Sequence, residues 1–122
     1  MRLLLDTHTF LWWDEDALPP AVRRRIELAD DVFVSAVSAW EIAIKSGIGK
    51  IVARAPLGQA ILDYGFTELP IRMDHADAVR LLPPHHRDPF DRLLIVQAQL
   101  DGLTLVTRDQ AFSAYQVSSV WG

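Results

Sequence analysis

Two short, almost wholly apolar runs of this chain are each followed closely by an aspartate. The run from Arg2 to Leu5 contains three consecutive leucines before Asp6, and the run from Leu103 to Val106 is separated from Asp109 by two residues. A strand without a polar face must be covered on both sides, as in a parallel sheet that lies between helices. The two runs therefore predict an α/β fold with a central parallel sheet.

Helix-period stretches alternate with the strand candidates in the order of βα units. We expect helices at 20–29, 37–46, 56–64, 74–82 and 89–101, and weaker strands at 32–35, 67–69 and 117–120. The clearest helix start is Asp88-Pro89, with Asp88 as the cap, and the same helix closes at Gly102. At 122 residues, the chain is expected to form a single domain that spans 1–122.

Composition excludes several classes of protein. The chain has no cysteine, so disulfides and thiolate zinc sites are absent. No apolar run approaches the ~20 residues of a membrane span, and the amino terminus enters a strand-like run, so we expect a cytoplasmic protein. The net charge of −4 argues against binding nucleic acid by bulk electrostatics, but it is compatible with a nuclease whose acids hold metal.

Four carboxylates stand beside apolar segments: Asp6, Glu41, Asp91 and Asp109. A carboxylate in such a place must be paired, protonated or bound to metal. Asp6 and Asp109 follow strand ends, and ligands of open parallel sheets bind at that edge. If all four acids converge, their charge requires a hard divalent cation such as Mg²⁺ or Mn²⁺, which indicates metal-assisted phosphodiester hydrolysis.

Each acid also has a structural alternative. Asp6 could cap the turn after the first strand, and Asp109 could cap the short helix that follows it. Glu41 could form a surface pair with Lys45, four residues on, although it shares a helix face with apolar residues. Asp91 is favoured in the first turn of its helix by the helix dipole alone. The four acids together therefore indicate a metal site more specifically than any one of them does alone.

The histidines and the positively charged residues are weaker candidates for a functional site. His85-His86 is expected to be a loop, because neighbouring side chains on an extended segment point to opposite sides. His8 could touch the site or make a structural hydrogen bond. Three cations close to the acids are expected to pair with them and not to clamp phosphate: Lys45, Arg92 and Arg108.

The large aromatics exceed what one small core needs. Trp12, Trp13 and Trp40 are expected to contribute in part to a subunit or partner surface, with base stacking as the alternative.

Four segments resemble the PIN-domain ribonucleases, and within them the VapC-type toxins of toxin–antitoxin pairs: Leu3–His8, Ser35–Lys45, His85–Arg92 and Leu103–Asp109. The resemblance spans nearly the whole chain in order, although Gly49 to Phe66 is shorter than is usual in the family. It implies a three-layer α/β sandwich with a short, mostly parallel sheet, Mg²⁺- or Mn²⁺-dependent endoribonuclease activity on RNA, homodimerisation, and inhibition by a cognate antitoxin.

By position, the resemblance assigns the family's acidic metal site to Asp6, Glu41, Asp91 and Asp109. Thr107 matches a supporting hydroxyl residue, and Thr7 is expected to assist Asp6. Metal at such a site activates water for in-line attack, and the expected products carry a 5′-phosphate and a 3′-hydroxyl.

Two rival interpretations stay open at this point. A haloacid-dehalogenase-type phosphatase needs a second acid two residues after its strand aspartate, where this chain has His8. A catalytically silent PIN-like module that binds RNA or protein is disfavoured by four intact acids, and a metal titration would separate it from an enzyme.

Overall fold

A five-stranded sheet forms the centre of the fold in a computed structural model that describes residues 1–49 and 56–122. The strands are β1 (Arg2–Leu5), β2 (Asp31–Ser35), β3 (Thr67–Leu69), β4 (Thr104–Val106) and β5 (Ser119–Val120). The helices are α1 (Thr7–Asp14), α2 (Pro20–Glu27), α3 (Ala36–Gly47), α4 (Leu57–Asp63), α5 (Met73–Val79) and α6 (Pro89–Asp101), with a 3-10 helix at Gln110–Ala114. Part of the short segment 49–66 lies outside the described residues.

The sheet separates two apolar cores, which confirms the predicted α/β architecture. Alternate leucines of β1 point to opposite faces: Leu4 enters the core beneath α6, while Leu3 and Leu5 enter the core beneath α1 and α2. All three leucines are fully buried. The absence of a polar face on β1 is thus explained by helices on both sides of the sheet.

All neighbouring strands are parallel, in the order β3-β2-β1-β4-β5. The chain moves from β1 towards β2 and β3 and later returns to the other side of β1, so the strand order reverses between β1 and β4. Leu5 pairs with Val106, and the Asp6 N–H donates to the Val106 carbonyl at 3.2 Å. The residues that follow β1 and β4 therefore share the crevice where such folds bind ligands.

The first helix, α1, was not predicted from the sequence. Its first residues are threonine and histidine, which are poor helix formers, and its apolar residues follow no helical spacing. The helix begins because the Asp6 side chain caps it, accepting the Thr9 N–H at 2.9 Å.

The ends of α5 also differ from the prediction of 74–82. The helix begins at Met73, and the backbone N–H of Arg72 donates to His75 Nδ1 at 3.0 Å. It ends at Val79 because Arg92, from α6, donates to the carbonyls of Val79 and Leu82 at 3.1 and 3.0 Å. The remaining predicted helices and strands are present with small shifts at their ends.

A buried side chain, Gln97, fixes α6 against the sheet. Its amide oxygen accepts the Ser35 hydroxyl at 2.6 Å, and its amide nitrogen donates to the Pro70 carbonyl at 3.2 Å. Gln97 and Ser35 are both buried, so these bonds form away from water. The second half of α6 is thereby held close to the carboxyl ends of β2 and β3. In the described ranges, no helix has the length and apolarity to cross a membrane.

Replacing Leu4 with alanine is expected to lower the free energy of unfolding by about 2–5 kcal/mol, because the side chain is fully buried. Leu62→Ala is the matched control, since Leu62 is 69% exposed on α4, and its effect should stay within about 0.5 kcal/mol. Urea unfolding followed by circular dichroism measures both. Equal stability of the two variants would contradict the assignment of Leu4 to the core.

Candidate active site

Asp6 lies at the carboxyl end of β1 and is almost fully buried. Its Oδ1 accepts the Thr9 N–H as the cap of α1. Burial raises the pKa of Asp6, and hydrogen bonds from Thr107 and Thr9 oppose that rise. Because the cap bond uses one of two carboxylate oxygens, capping and binding of a ligand are compatible.

Glu41 projects from α3 into the fold and is only 3% exposed. Its Oε2 pairs with the Lys45 ammonium, so the ion pair expected from the sequence exists, but with a buried carboxylate. Its Oε1 is buried and has no hydrogen-bond partner among the described residues. A buried carboxylate oxygen without a partner is costly, and a cation would satisfy it.

Asp91 lies in the first turn of α6, where Asp88 caps the helix by accepting the Asp91 N–H at 3.0 Å. Burial, together with the charges of Asp88 and Asp6, raises the pKa of Asp91 to about 7. The opposing contribution comes from His86, whose Nε2 lies 2.8 Å from Asp91 Oδ2. Asp91 is therefore placed where a negative charge needs compensation.

Asp109 follows β4 and is half-exposed. Its Oδ1 caps the 3-10 helix by accepting the Ala111 N–H at 2.9 Å, as the structural alternative expected. Its Oδ2 lies 3.9 Å from His86 Nε2. The ligand atoms of His86, Asp91 and Asp109 all lie within 4.8 Å of one another.

His86 is the functional candidate that sequence analysis missed. The segment is a loop, as expected, but the ring of His86 lies beside two of the predicted acids, Asp91 and Asp109. The spacing of residues in the sequence does not predict that His86 lies near the acids, because contacts with Arg92 and Tyr115 determine where the loop lies.

The two supporting hydroxyl residues behave differently. The Thr107 hydroxyl accepts the Asp109 N–H at 3.0 Å and also acts to lower the pKa of Asp6, so it influences both acids that follow the two central strands. The Thr7 hydroxyl donates to Ser38 at 3.0 Å and joins α1 to α3, and among the described residues it forms no side-chain hydrogen bond with an acid.

Of the four acids, Asp91 and Asp109 lie within reach of a shared cation, together with His86, whereas Asp6 and Glu41 are related to them through electrostatic effects. Lys45 connects Glu41 to the others, since its pKa is raised mainly by the hydrogen bond to Glu41 and further by the charges of Asp88 and Asp91. The charge of Asp6 acts on Asp91 in turn, and His86 links Asp91 to Asp109. The carboxylate oxygens of Asp91 and Asp109 and the imidazole of His86 fit a divalent cation, and the unpartnered Oε1 of Glu41 is a further oxygen that a cation could satisfy.

A cavity of about 270 Å³ adjoins the acids and is lined by Asp6, His8, Trp12, Arg108 and Asp109. His8 stacks on Trp12 at a ring distance of 5.9 Å, and Trp121 packs edge-on against the same indole at 5.8 Å. The cavity therefore combines an aromatic wall and a guanidinium with the carboxylates.

Arg92 makes no ion pair with an acid in the part of the chain that the structure describes, contrary to the expectation from sequence. Its guanidinium donates to the backbone carbonyls of the segment 79–86 and to the Tyr115 hydroxyl. The residue shapes the loop that carries His86.

A parallel sheet with acids gathered at its switch point defines a small α/β protein with an acidic ligand-binding cleft. The family model for the PIN domain matches residues 3–117. The chain is 30% identical to Ribonuclease VapC22 of Mycobacterium tuberculosis, over 93% of this chain and 92% of that protein. It therefore belongs to the PIN-domain family, among the VapC-type members, which confirms the resemblance found in the sequence.

Solved structures support the fold. VapBC2 from Rickettsia felis, bound to a DNA fragment from its promoter, has a TM-score of 0.75 at 16% identity, over 100% of this chain and 99% of that one. The DNA-bound VapBC from Salmonella typhimurium has a TM-score of 0.71 at 16% identity, over 98% and 97% of the two chains.

The raised pKa of Asp91 predicts a dependence of stability on pH in protein freed of cations by EDTA. The folded state keeps the proton up to about pH 7, whereas the unfolded chain releases it near pH ~4. Raising the pH through this window therefore favours unfolding. Asp91→Asn removes the contribution, so between about pH 5 and about pH 8 the variant should gain on the order of 1–2 kcal/mol relative to the parent protein.

Urea unfolding of both proteins at the two pH values measures this difference. Comparing the change with pH cancels any constant cost of the substitution. A difference between variant and parent that does not depend on pH would contradict the raised pKa.

Proposed function

We propose that this protein is a metal-dependent endoribonuclease and the toxin of a type II toxin–antitoxin system. The observation that carries the proposal is the acidic cluster at this edge of the sheet: ligand atoms of Asp91 and Asp109 lie within 4.8 Å of each other, and the charge of Asp6 contributes to the raised pKa of Asp91. Glu41 adds a buried carboxylate oxygen that lacks a partner among the described residues. The name of the relative, Ribonuclease VapC22, supports the same activity. Cellular RNA as the substrate implies that the protein acts in the cytoplasm.

The proposed cofactor is Mg²⁺ or Mn²⁺, held by the four acids. When bound, such a cation supplies a more acidic water for attack on phosphorus and positive charge for the departing oxygen. Products with a 5′-phosphate and a 3′-hydroxyl are expected from this route.

The protein's own groups orient these ligands. Lys45 holds one oxygen of Glu41 and leaves the other free, and the cap bonds at Asp6 and Asp109 each use one carboxylate oxygen. Ligands restrained in this way need little rearrangement when a cation binds. Asp88 fixes the first turn of α6 and with it the position of Asp91.

The cavity beside the acids is the proposed entry of the RNA chain. Arg108 is exposed at its edge and offers a planar donor group to a phosphate. Trp12 provides a face on which an unpaired base can stack. Both groups lie next to Asp6 and Asp109, so a bound strand would pass over the acidic cleft.

The proposed partners are a second copy of this chain and a cognate antitoxin. The VapBC neighbours support the antitoxin as a partner. The Trp12-Trp13 region is less available than the sequence suggested, because Trp13 packs against Tyr64 and Phe66. Exposed apolar side chains instead form a stripe on one face around α3, which we call the α3 stripe: Trp40, Ile44 and Ile48.

Asp91→Asn is expected to abolish RNA cleavage while the fold persists, because it removes a proposed ligand from a cluster of like charges. Single-turnover cleavage of a structured RNA, with Mg²⁺ or Mn²⁺ and with EDTA, is the measurement. EDTA should silence the parent protein. Asp77→Asn, an exposed change on α5, is the control and should keep full activity.

Two results would defeat this assignment. One is cleavage by the Asp91 variant that still depends on metal. The other is full activity of the parent protein in EDTA with products ending in 2′,3′-cyclic phosphate, since that chemistry needs no metal.

The isolated chain is expected to be a homodimer in which the α3 stripe is covered. Ile48→Glu places a charge on this stripe and should shift the mass measured by light scattering towards the monomer. Leu28→Glu is the control, since Leu28 is 72% exposed at the end of α2, and it should leave the mass unchanged. A monomeric parent protein that also binds no antitoxin would contradict the proposed assembly.

A further inference from the structure

We propose that His86 is a nitrogen ligand of the cation, so that the site is a mixed nitrogen–oxygen centre that prefers Mn²⁺ to Mg²⁺. The inference rests on the proposed function, because it concerns the cation that the activity requires. It adds to the four acids a residue that sequence analysis assigned only to a loop.

The geometry around the imidazole fits a shared cation. His86 Nε2 lies 2.8 Å from Asp91 Oδ2 and 3.9 Å from Asp109 Oδ2. In a site with metal–ligand bonds of about 2.1 Å, neighbouring ligand atoms lie roughly 3 Å apart, and wider bond angles bring them to about 4 Å. A cation therefore fits among the three ligand atoms without displacement of the backbone.

A hydrogen bond alone explains less of this arrangement. The same ring nitrogen faces carboxylates from two different elements, the first turn of α6 and the residue after β4. A proton on Nε2 would serve Asp91 at 2.8 Å but would not reach Asp109 Oδ2 at 3.9 Å. A cation serves all three groups at once.

The backbone of the loop is fixed in advance. The buried Tyr115 hydroxyl accepts the His86 N–H at 2.7 Å and donates to the Pro83 carbonyl at 2.8 Å. Arg92 donates to the carbonyls of His86 and Pro83 at 3.2 and 2.9 Å. The ring of His86 also packs edge-on against Phe112. A loop residue restrained at so many points has the precision that a metal ligand needs.

The type of ligand atom, nitrogen or oxygen, determines which cation the site prefers. Mg²⁺ selects oxygen ligands and gives up its water reluctantly, whereas transition-metal ions accept imidazole nitrogen readily. Loss of His86 should therefore weaken binding of Mn²⁺ by about tenfold or more, while the affinity for Mg²⁺ changes by less than about threefold.

The test uses the full chain with Mn²⁺ alone as the probe. Pulsed electron paramagnetic resonance of bound Mn²⁺ is expected to show coupling to a directly bonded ¹⁴N nucleus, and His86→Asn should remove it. His85→Asn is the matched control, because His85 is the exposed neighbour with no place in the cluster, and it should keep the coupling. Tyr115→Phe, which removes only the hydroxyl, should give a Mn²⁺ affinity between those of the parent protein and His86→Asn.

Titrations with Mn²⁺ and Mg²⁺ complete the test. The inference is overturned if Mn²⁺ binds and supports cleavage of RNA without nitrogen coupling, or if His86→Asn leaves the ratio of the two affinities unchanged; in both cases the proposed function stands. Absence of any binding of Mn²⁺ or Mg²⁺ by the parent protein overturns both. Should His86→Asn fail to fold, the coupling in the parent protein decides the question.

Discussion

Parallel pairing of β1 with β4 is the interaction on which the rest of the site depends. It places the residues after both strands at one edge of the sheet, where the strand order reverses. The Asp6 N–H bond to Val106 extends this pairing by one residue, and Thr107 continues it towards Asp109. A cleft between two carboxylates follows directly from the arrangement of the backbone.

Gathering carboxylates at this edge carries an electrostatic cost, and each acid offsets part of it locally. Asp6 accepts a helix N–H, Glu41 has Lys45, and Asp91 has His86. The compensation is incomplete, because the pKa of Asp91 stays raised and one oxygen of Glu41 is unpartnered among the described residues. An uncompensated electrostatic cost of this kind is typical of ligand-binding sites, where the requirements of stability and function oppose each other.

Buried polar groups away from the cleft hold the acids in place. Gln97 ties α6 to β2 and to the segment after β3, and Arg92 ties α6 to the loop that contains His86. Both residues lie on the helix that also carries Asp91. One helix therefore sets the position of an acid and the path of the neighbouring loop, so disturbance of either contact is transmitted to the cleft.

The sequence alone determined the parallel sheet and most of the helices, because apolar runs, cap residues and turn residues act locally, and it singled out four acids as candidate site residues. It did not determine α1, which begins at the Asp6 cap, or the path of 79–86 and the place of His86. The segment 79–86 depends on contacts with Arg92 and Tyr115, which no periodic pattern in the sequence records. The assignment of metal to the acids stays a prediction. Only the tertiary structure placed an imidazole between two of the carboxylates, because contacts between separate elements determine where a loop side chain lies.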